Sequence, residues 1–241
     1  ITIHPYFLPM VFAVTLAMLA EYAVRHREWK KPLAFLLSDL AAAVGLGWCF
    51  GLLGSGGTDG SEMLYGYFSM NLNALWNPTS LSTVWSRFLP VQNQIRGNYD
   101  AFNYLGLGIL LGCAAGALCL LRRPKRLLLL LKQHWCLTLV CACLTAFAVT
   151  NQVTANGAAL MTLPLPNKLL ALCSVFRSSG RLFWPVYYLL FLLALWALSQ
   201  LFAGRRVALL LGALVCVQLA DLSPALAARH AETYQYREEF A

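Results

Sequence analysis

The feature that most constrains this chain is a series of apolar stretches, each close to the length of a membrane-crossing helix, separated by short basic clusters. About 20 apolar residues in a helix cross the roughly 30 Å hydrocarbon core of a bilayer. In lipid, every backbone N–H and C=O must find its partner inside the protein, so such a stretch folds as a helix. The pattern predicts an all-α, polytopic transmembrane helix bundle of about six spans, at residues 6–24, 33–53, 102–121, 127–150, 182–202 and 207–222. Lys132, Gln133 and His134 interrupt the fourth of these. The LLLLL run before them could be a separate interfacial turn, with the true span starting near Trp135. The composition agrees: the chain is 59% hydrophobic and 12% charged, where soluble domains carry about 25% charged residues.

The net charge of +8 is a topology signal before it is anything else. Arg25, Arg27, Lys30 and Lys31 form one basic loop, Arg122, Arg123, Lys125 and Arg126 a second, and Arg205 and Arg206 a third. These are alternate loops, so they share one side, and that side should be cytoplasmic. Attraction to membrane lipid follows from the same charges, and no nucleic-acid partner is needed to explain them. Both ends then lie outside the cytoplasm, and the expected location is the bacterial inner membrane. The chain opens at Ile1 with no signal-peptide layout and closes in a polar tail. It reads as an internal fragment of a longer protein, with at least one span before Ile1.

Two extracytoplasmic loops, 54–101 and 151–181, are long enough to build a site, and interfacial helices are expected in both. The first is rich in Gly, Asn, Tyr and Trp, with Trp76, Trp85 and Tyr67 suited to the interface. In the second, Pro164 and Pro166 interrupt any span, and Leu169–Phe176 is too short to cross. A short interfacial or re-entrant helix there would deliver Arg177 and Arg181 to the membrane boundary. The small-residue runs LGLGILLGCAAGA and AAAVGLG predict close helix packing.

Arg177 and Arg181 are the leading binding candidates. They bracket Ser178, Ser179 and Gly180 and precede a long apolar stretch. If the segment is helical they point the same way, one turn apart. Two forked cations at a membrane boundary suit a phosphate or carboxylate, and Ser178 and Ser179 could add hydroxyl donors. Asp59, Glu62 and Asp100 are the acids of the first loop. A carboxylate there could act as general base or hold a divalent cation through oxygen ligands. Asp100, at the start of a span, is the candidate catalytic residue. Asp39 lies inside the second span and is expected to serve structural pairing or polar helix packing, Glu21 and Arg25 being near the same end.

No zinc site is expected. His4, His134 and His230 are scattered, His26 sits in a basic loop, and the eight cysteines form no CxxC pair. The cysteines read as small apolar packing residues without a structural disulfide. No Ser–His–Asp or Cys–His arrangement can be assembled.

The segments GYFSMNLNALWNP, NYDAFNYLGLG and FRSSGRLFWPVYY resemble the recurring segments of a family of bacterial polytopic membrane proteins, domain of unknown function 6311. That family is in turn similar to GT-C type glycosyltransferases, which take a sugar from a polyprenyl phosphate on the outer side of the membrane. The resemblance implies a main catalytic acid in a loop preceding this fragment. It also implies that Arg177 and Arg181 neutralise charge on a leaving lipid phosphate, and that Asn71, Asn73, Tyr99, Asp100 and Asn103 line the sugar or acceptor pocket. The leading expectation is a glycosyltransferase-like protein of cell-envelope glycan assembly using a polyprenyl-linked sugar. The alternatives are a transporter or flippase for a lipid-linked or anionic substrate, and a non-catalytic subunit of an envelope assembly complex.

Overall fold

The computed structural model describes residues 6–51, 65–79, 81–89, 97–200 and 204–238. Asp59, Glu62 and His4 lie outside the described residues. Eight α-helices occur among the described residues: α1 (Phe7–His26), α2 (Lys30–Cys49), α3 (Leu107–Leu121), α4 (Pro124–Gln133), α5 (Trp135–Val149), α6 (Asn167–Ser174), α7 (Trp184–Ser199) and α8 (Arg205–Glu238). Four helical segments (Phe7–His26, Lys30–Cys49, Ser179–Ser199 and Arg205–Thr233) are long and apolar enough to cross a membrane.

The departures from six uniform spans have local causes. Pro124 starts α4 at a position where a missing N–H costs nothing, and α4 is bent by 102° from α3. A break at His134 then separates α4 from α5. Glu21 of α1 holds that break: one carboxylate oxygen lies 3.1 Å from His134 Nδ1 and the other accepts from Leu137 N–H at 3.0 Å. It thereby satisfies one of the orphan donors at the start of α5. The expected third span shrinks to 15 residues, because Phe102–Gly106 is not helical. The last helix is longer than expected, at 34 residues or about 51 Å. Pro224 in its interior removes a donor to Ala220, and the Ser223 hydroxyl donates to that carbonyl instead at 2.8 Å.

The described residues are mostly helical, as expected of an all-α membrane-type chain, with one local addition: residues 152–162 form an antiparallel hairpin, β1 (Gln152–Ala155) and β2 (Ala158–Thr162). Its turn places Asn156 and Gly157 at positive φ, the pairing that two-residue hairpins favour. The short helix anticipated at Leu169–Phe176 is α6. The described part of the first loop holds only two 3-10 turns, Trp85–Phe88 and Asn98–Ala101, and no interfacial α-helix.

Close packing of α3 follows its glycines. Gly108, Gly112 and Gly116 are buried at four-residue spacing on one face. A Cβ at Gly116 would meet Ala194 and Ala197 of α7 at 3.3 Å, and one at Gly108 the Leu214 carbonyl of α8 at 2.2 Å. Helix α3 runs parallel to α7 and antiparallel to α8. Arg25 donates to the Gln133 carbonyl at 3.1 Å and Arg126 to Gln200 at 2.7 Å, which gathers the basic loops at one end of the bundle. The long loops gather at the other.

Asp39 does not pair as expected. It is half-buried on α2 and makes no hydrogen bond or ion pair among the described residues. Glu21 is engaged by α5 and Arg25 by the end of α4, so neither is left for it.

Candidate functional site

Three backbone stretches converge at the loop end. The Phe68 carbonyl accepts from Gly180 N–H at 3.0 Å and from the Ser179 hydroxyl at 3.2 Å. Gly180 approaches Ala101 so closely that a Cβ on it would lie 2.1 Å from the Ala101 Cβ, so only glycine fits. Asn103 Nδ2 donates to both the Ala101 carbonyl, at 3.0 Å, and the Gly180 carbonyl, at 3.3 Å. The neighbours of those two residues, Asp100 and Arg181, are thereby brought side by side, and Arg181 Nη2 donates to Asp100 Oδ1 in an ion pair. The pair is partly buried, its side chains 25% and 15% exposed.

Aromatic rings surround it. The Arg181 guanidinium lies 6.0 Å from the ring centres of both Tyr6 and Trp184, within cation–π range. Ser178 N–H donates to Tyr6 Oη at 2.7 Å, tying the start of α1 to the site. Arg177 is exposed, with its guanidinium 5.1 Å from the Phe68 ring. The exposed Tyr99 meets the same Phe68 ring in a T-shaped contact at 6.1 Å.

The two arginines do not share a helix face. Residues 176–178 are a bend and 179–183 a 3-10 turn, because Ser178 (φ −90°, ψ 64°) leaves the helical region. They act separately: Arg181 holds Asp100, whereas Arg177 stacks on Phe68 and has no carboxylate partner among the described residues.

Beneath this cluster lies a layer of buried asparagines. Asn71, Asn73 and Asn103 are 4%, 3% and 2% exposed. Asn98 Nδ2 donates to the Ser69 carbonyl at 2.7 Å, and Asn73 Nδ2 to Asn156 Oδ1 of the hairpin turn at 2.8 Å. The Oδ1 atoms of Asn71, Asn98, Asn103 and Asn151 are buried without a donor among the described residues. Buried acceptors of this kind call for an ordered water or a ligand hydroxyl. Of the remaining candidates, Ser179 is wholly buried and spent on Phe68, and Ser178 is half-buried. Tyr65, in the same loop, donates to the Phe147 carbonyl at 3.2 Å, and burial pushes its phenol up to about 12.

Sequence reasoning missed Asp221. This carboxylate is 1% exposed and accepts from Tyr104 Oη at 2.7 Å, Trp85 N–H at 2.9 Å and Leu107 N–H at 3.1 Å. One helical turn earlier, Gln218 accepts from Ile109 N–H and donates to the Leu105 carbonyl, both at 3.1 Å. Two side chains of α8 therefore cap α3 and satisfy the non-helical backbone before it. Gly106, at φ 84°, makes the turn there and leaves room for Gln218. The three-residue spacing of Gln218 and Asp221 was the readable signal.

Among the described residues, no group of three or more His, Cys, Asp or Glu could hold a metal ion. Asp100 is the single first-loop acid among them, and its carboxylate is engaged by Arg181.

Apolar helices of spanning length, gathered around a loop-end cluster of two arginines and one carboxylate, define a helical membrane-type protein. The chain belongs to the family described as Domain of unknown function (DUF6311), whose model matches residues 1–223. No curated protein and no solved structure matches it.

Proposed function

We propose that this protein handles a polyprenyl-phosphate-linked sugar at the outer face of a bacterial inner membrane, as a glycosyltransferase-like enzyme of cell-envelope glycan assembly. The observation that carries this reading is the partly buried Arg181–Asp100 pair with Arg177 beside it. Among the described residues, two cations against one carboxylate leave a net positive charge where apolar helices meet polar loops, which suits a lipid phosphate.

A guanidinium has five donors, so Arg181 can take a phosphate oxygen while Asp100 remains adjacent. In transfer, the bond between the sugar anomeric carbon and the phosphate oxygen breaks, and its electron pair leaves with the polyprenyl phosphate. The acceptor oxygen bonds to the same carbon, and its proton passes to Asp100 as general base. Arg177 and Arg181 neutralise the charge developing on the phosphate.

The test is the protein in membranes with labelled polyprenyl-phosphate sugars, beside Arg177→Gln, Arg181→Gln and Asp100→Asn. The expected result is arginine-dependent release of sugar from lipid, with carrier binding kept and release lost in Asp100→Asn. Binding without release in the parent would replace this reading with transport, flipping or a non-catalytic subunit. No binding at all would overturn it.

A further inference from the structure

A second feature adjoins this cluster. Between α1 and α7 runs an apolar groove of about 280 Å³, lined by Phe7, Met10, Val11, Val14, Trp184 and Tyr188 among others. Its upper end is the aromatic pair Phe7–Trp184, with ring centres 5.7 Å apart. Trp184 is also one of the rings 6.0 Å from the Arg181 guanidinium. The groove therefore begins where the ion pair ends. From Phe7 to Val14 it descends about 10 Å along α1, at 1.5 Å per residue.

We infer that this groove seats the hydrocarbon chain of a polyprenyl phosphate whose head group meets Arg181. The inference rests on the reading of Arg181 as a phosphate ligand and adds where the chain lies. Three observations select the occupant. A trough between a single pair of helices takes one chain, whereas a diacyl phospholipid carries two. Phe7, Trp184 and Tyr188 line the trough, and aromatic rings offer a large apolar surface to a branched, unsaturated chain. Arg181 at the upper end complements an anionic head group, and no lining residue of the groove is charged.

The test fills the groove without touching the cations. Val11, 59% exposed at the groove edge, tolerates enlargement best, so Val11→Trp is made beside Val14→Trp and Arg181→Gln. Binding is measured in nanodiscs with three probes: a long-chain polyprenyl phosphate, a short water-soluble prenyl phosphate and a diacyl phosphatidic acid. Photocrosslinking of a chain-labelled polyprenyl phosphate to the unaltered protein is read by peptide mapping. The tryptophan variants should weaken the long-chain probe about tenfold, equivalent to about 1.4 kcal/mol, leaving the short probe unchanged. Arg181→Gln should weaken both, and crosslinks should fall on α1 and α7. Long-chain binding that ignores both tryptophans yet needs Arg181, or crosslinks confined to other helices, would overturn the groove and leave the head-group site standing. Equal competition by phosphatidic acid would assign the groove to phospholipid instead. Binding that ignores Arg181 as well would remove the proposed function itself.

Discussion

Replacing Asp221 by alanine should release α8 from the rest of the bundle. The carboxylate is 1% exposed, and its loss strands the Trp85 and Leu107 amides, which the backbone fixes in place, and the Tyr104 phenol. A buried donor left unpaired costs about 1–3 kcal/mol. Three would sum to about 3–9 kcal/mol, and water entering the vacated space offsets part, so about 4 kcal/mol is expected. At about 2–4 °C per kcal/mol for a chain of this size, the melting temperature in detergent should fall by about 8–16 °C. Tyr104→Phe removes one donor and leaves two, and should cost about 1–2 kcal/mol. The double variant should cost less than the sum of the singles, because the Tyr104 hydroxyl is no longer there to be stranded. Thermal unfolding reports the total, and amide exchange at Trp85 and Leu107 locates it. An Asp221→Ala protein that melts within about 2 °C of the parent, with Leu107 still protected, would refute the argument that this residue caps α3.

Three further outcomes follow from particular contacts. Gly180→Ala drives a methyl group against Ala101 and should separate Asp100 from Arg181, lowering both stability and polyprenyl-phosphate binding; Ala101→Gly in the same protein should recover part of each, since the Ala101 Cα and the Phe68 carbonyl still lie 2.9 and 3.0 Å from that methyl. Gly108→Ala places a Cβ 2.2 Å from the Leu214 carbonyl, whereas Gly112→Ala meets the Leu214 and Leu198 methyls at 3.5 and 4.0 Å, ordinary contact distances. Thermal unfolding should therefore show a marked loss for Gly108→Ala and little for Gly112→Ala. Glu21→Ala removes the acceptor for the start of α5 and should cost about 1 kcal/mol, seen as faster amide exchange at Leu137 with the loop-end cluster unaffected.

What the sequence determined by itself is what depends on near neighbours. An apolar run of about 20 residues must be helical in lipid, so α1, α2 and α7 fall close to where the pattern places them. The alternation of Arg and Lys clusters marks the end of the bundle where Arg25 and Arg126 meet their partners. The glycine stripe of α3 announces close approach before any partner is known. The family segments also pick out the loops that contain Asp100, Arg177 and Arg181.

Tertiary structure decided which polar groups face one another. Asp100 and Arg181 are 81 residues apart, and only the Phe68 carbonyl, the missing Cβ of Gly180 and the Asn103 amide bring them together. Helical periodicity placed Arg177 and Arg181 on one face, but the hydrogen bonds around Ser178 and Ser179 turned the chain first. Asp221 looked like the edge of a span because its three donors come from residues more than a hundred positions away. Phe102–Gly106, apolar enough to count as helix, stays non-helical because Leu75 and Gln218 supply its backbone partners. Apolar burial is non-directional, so a sequence pattern can report it. A hydrogen bond needs a particular partner at a particular angle, and in this chain those partners are distant in sequence.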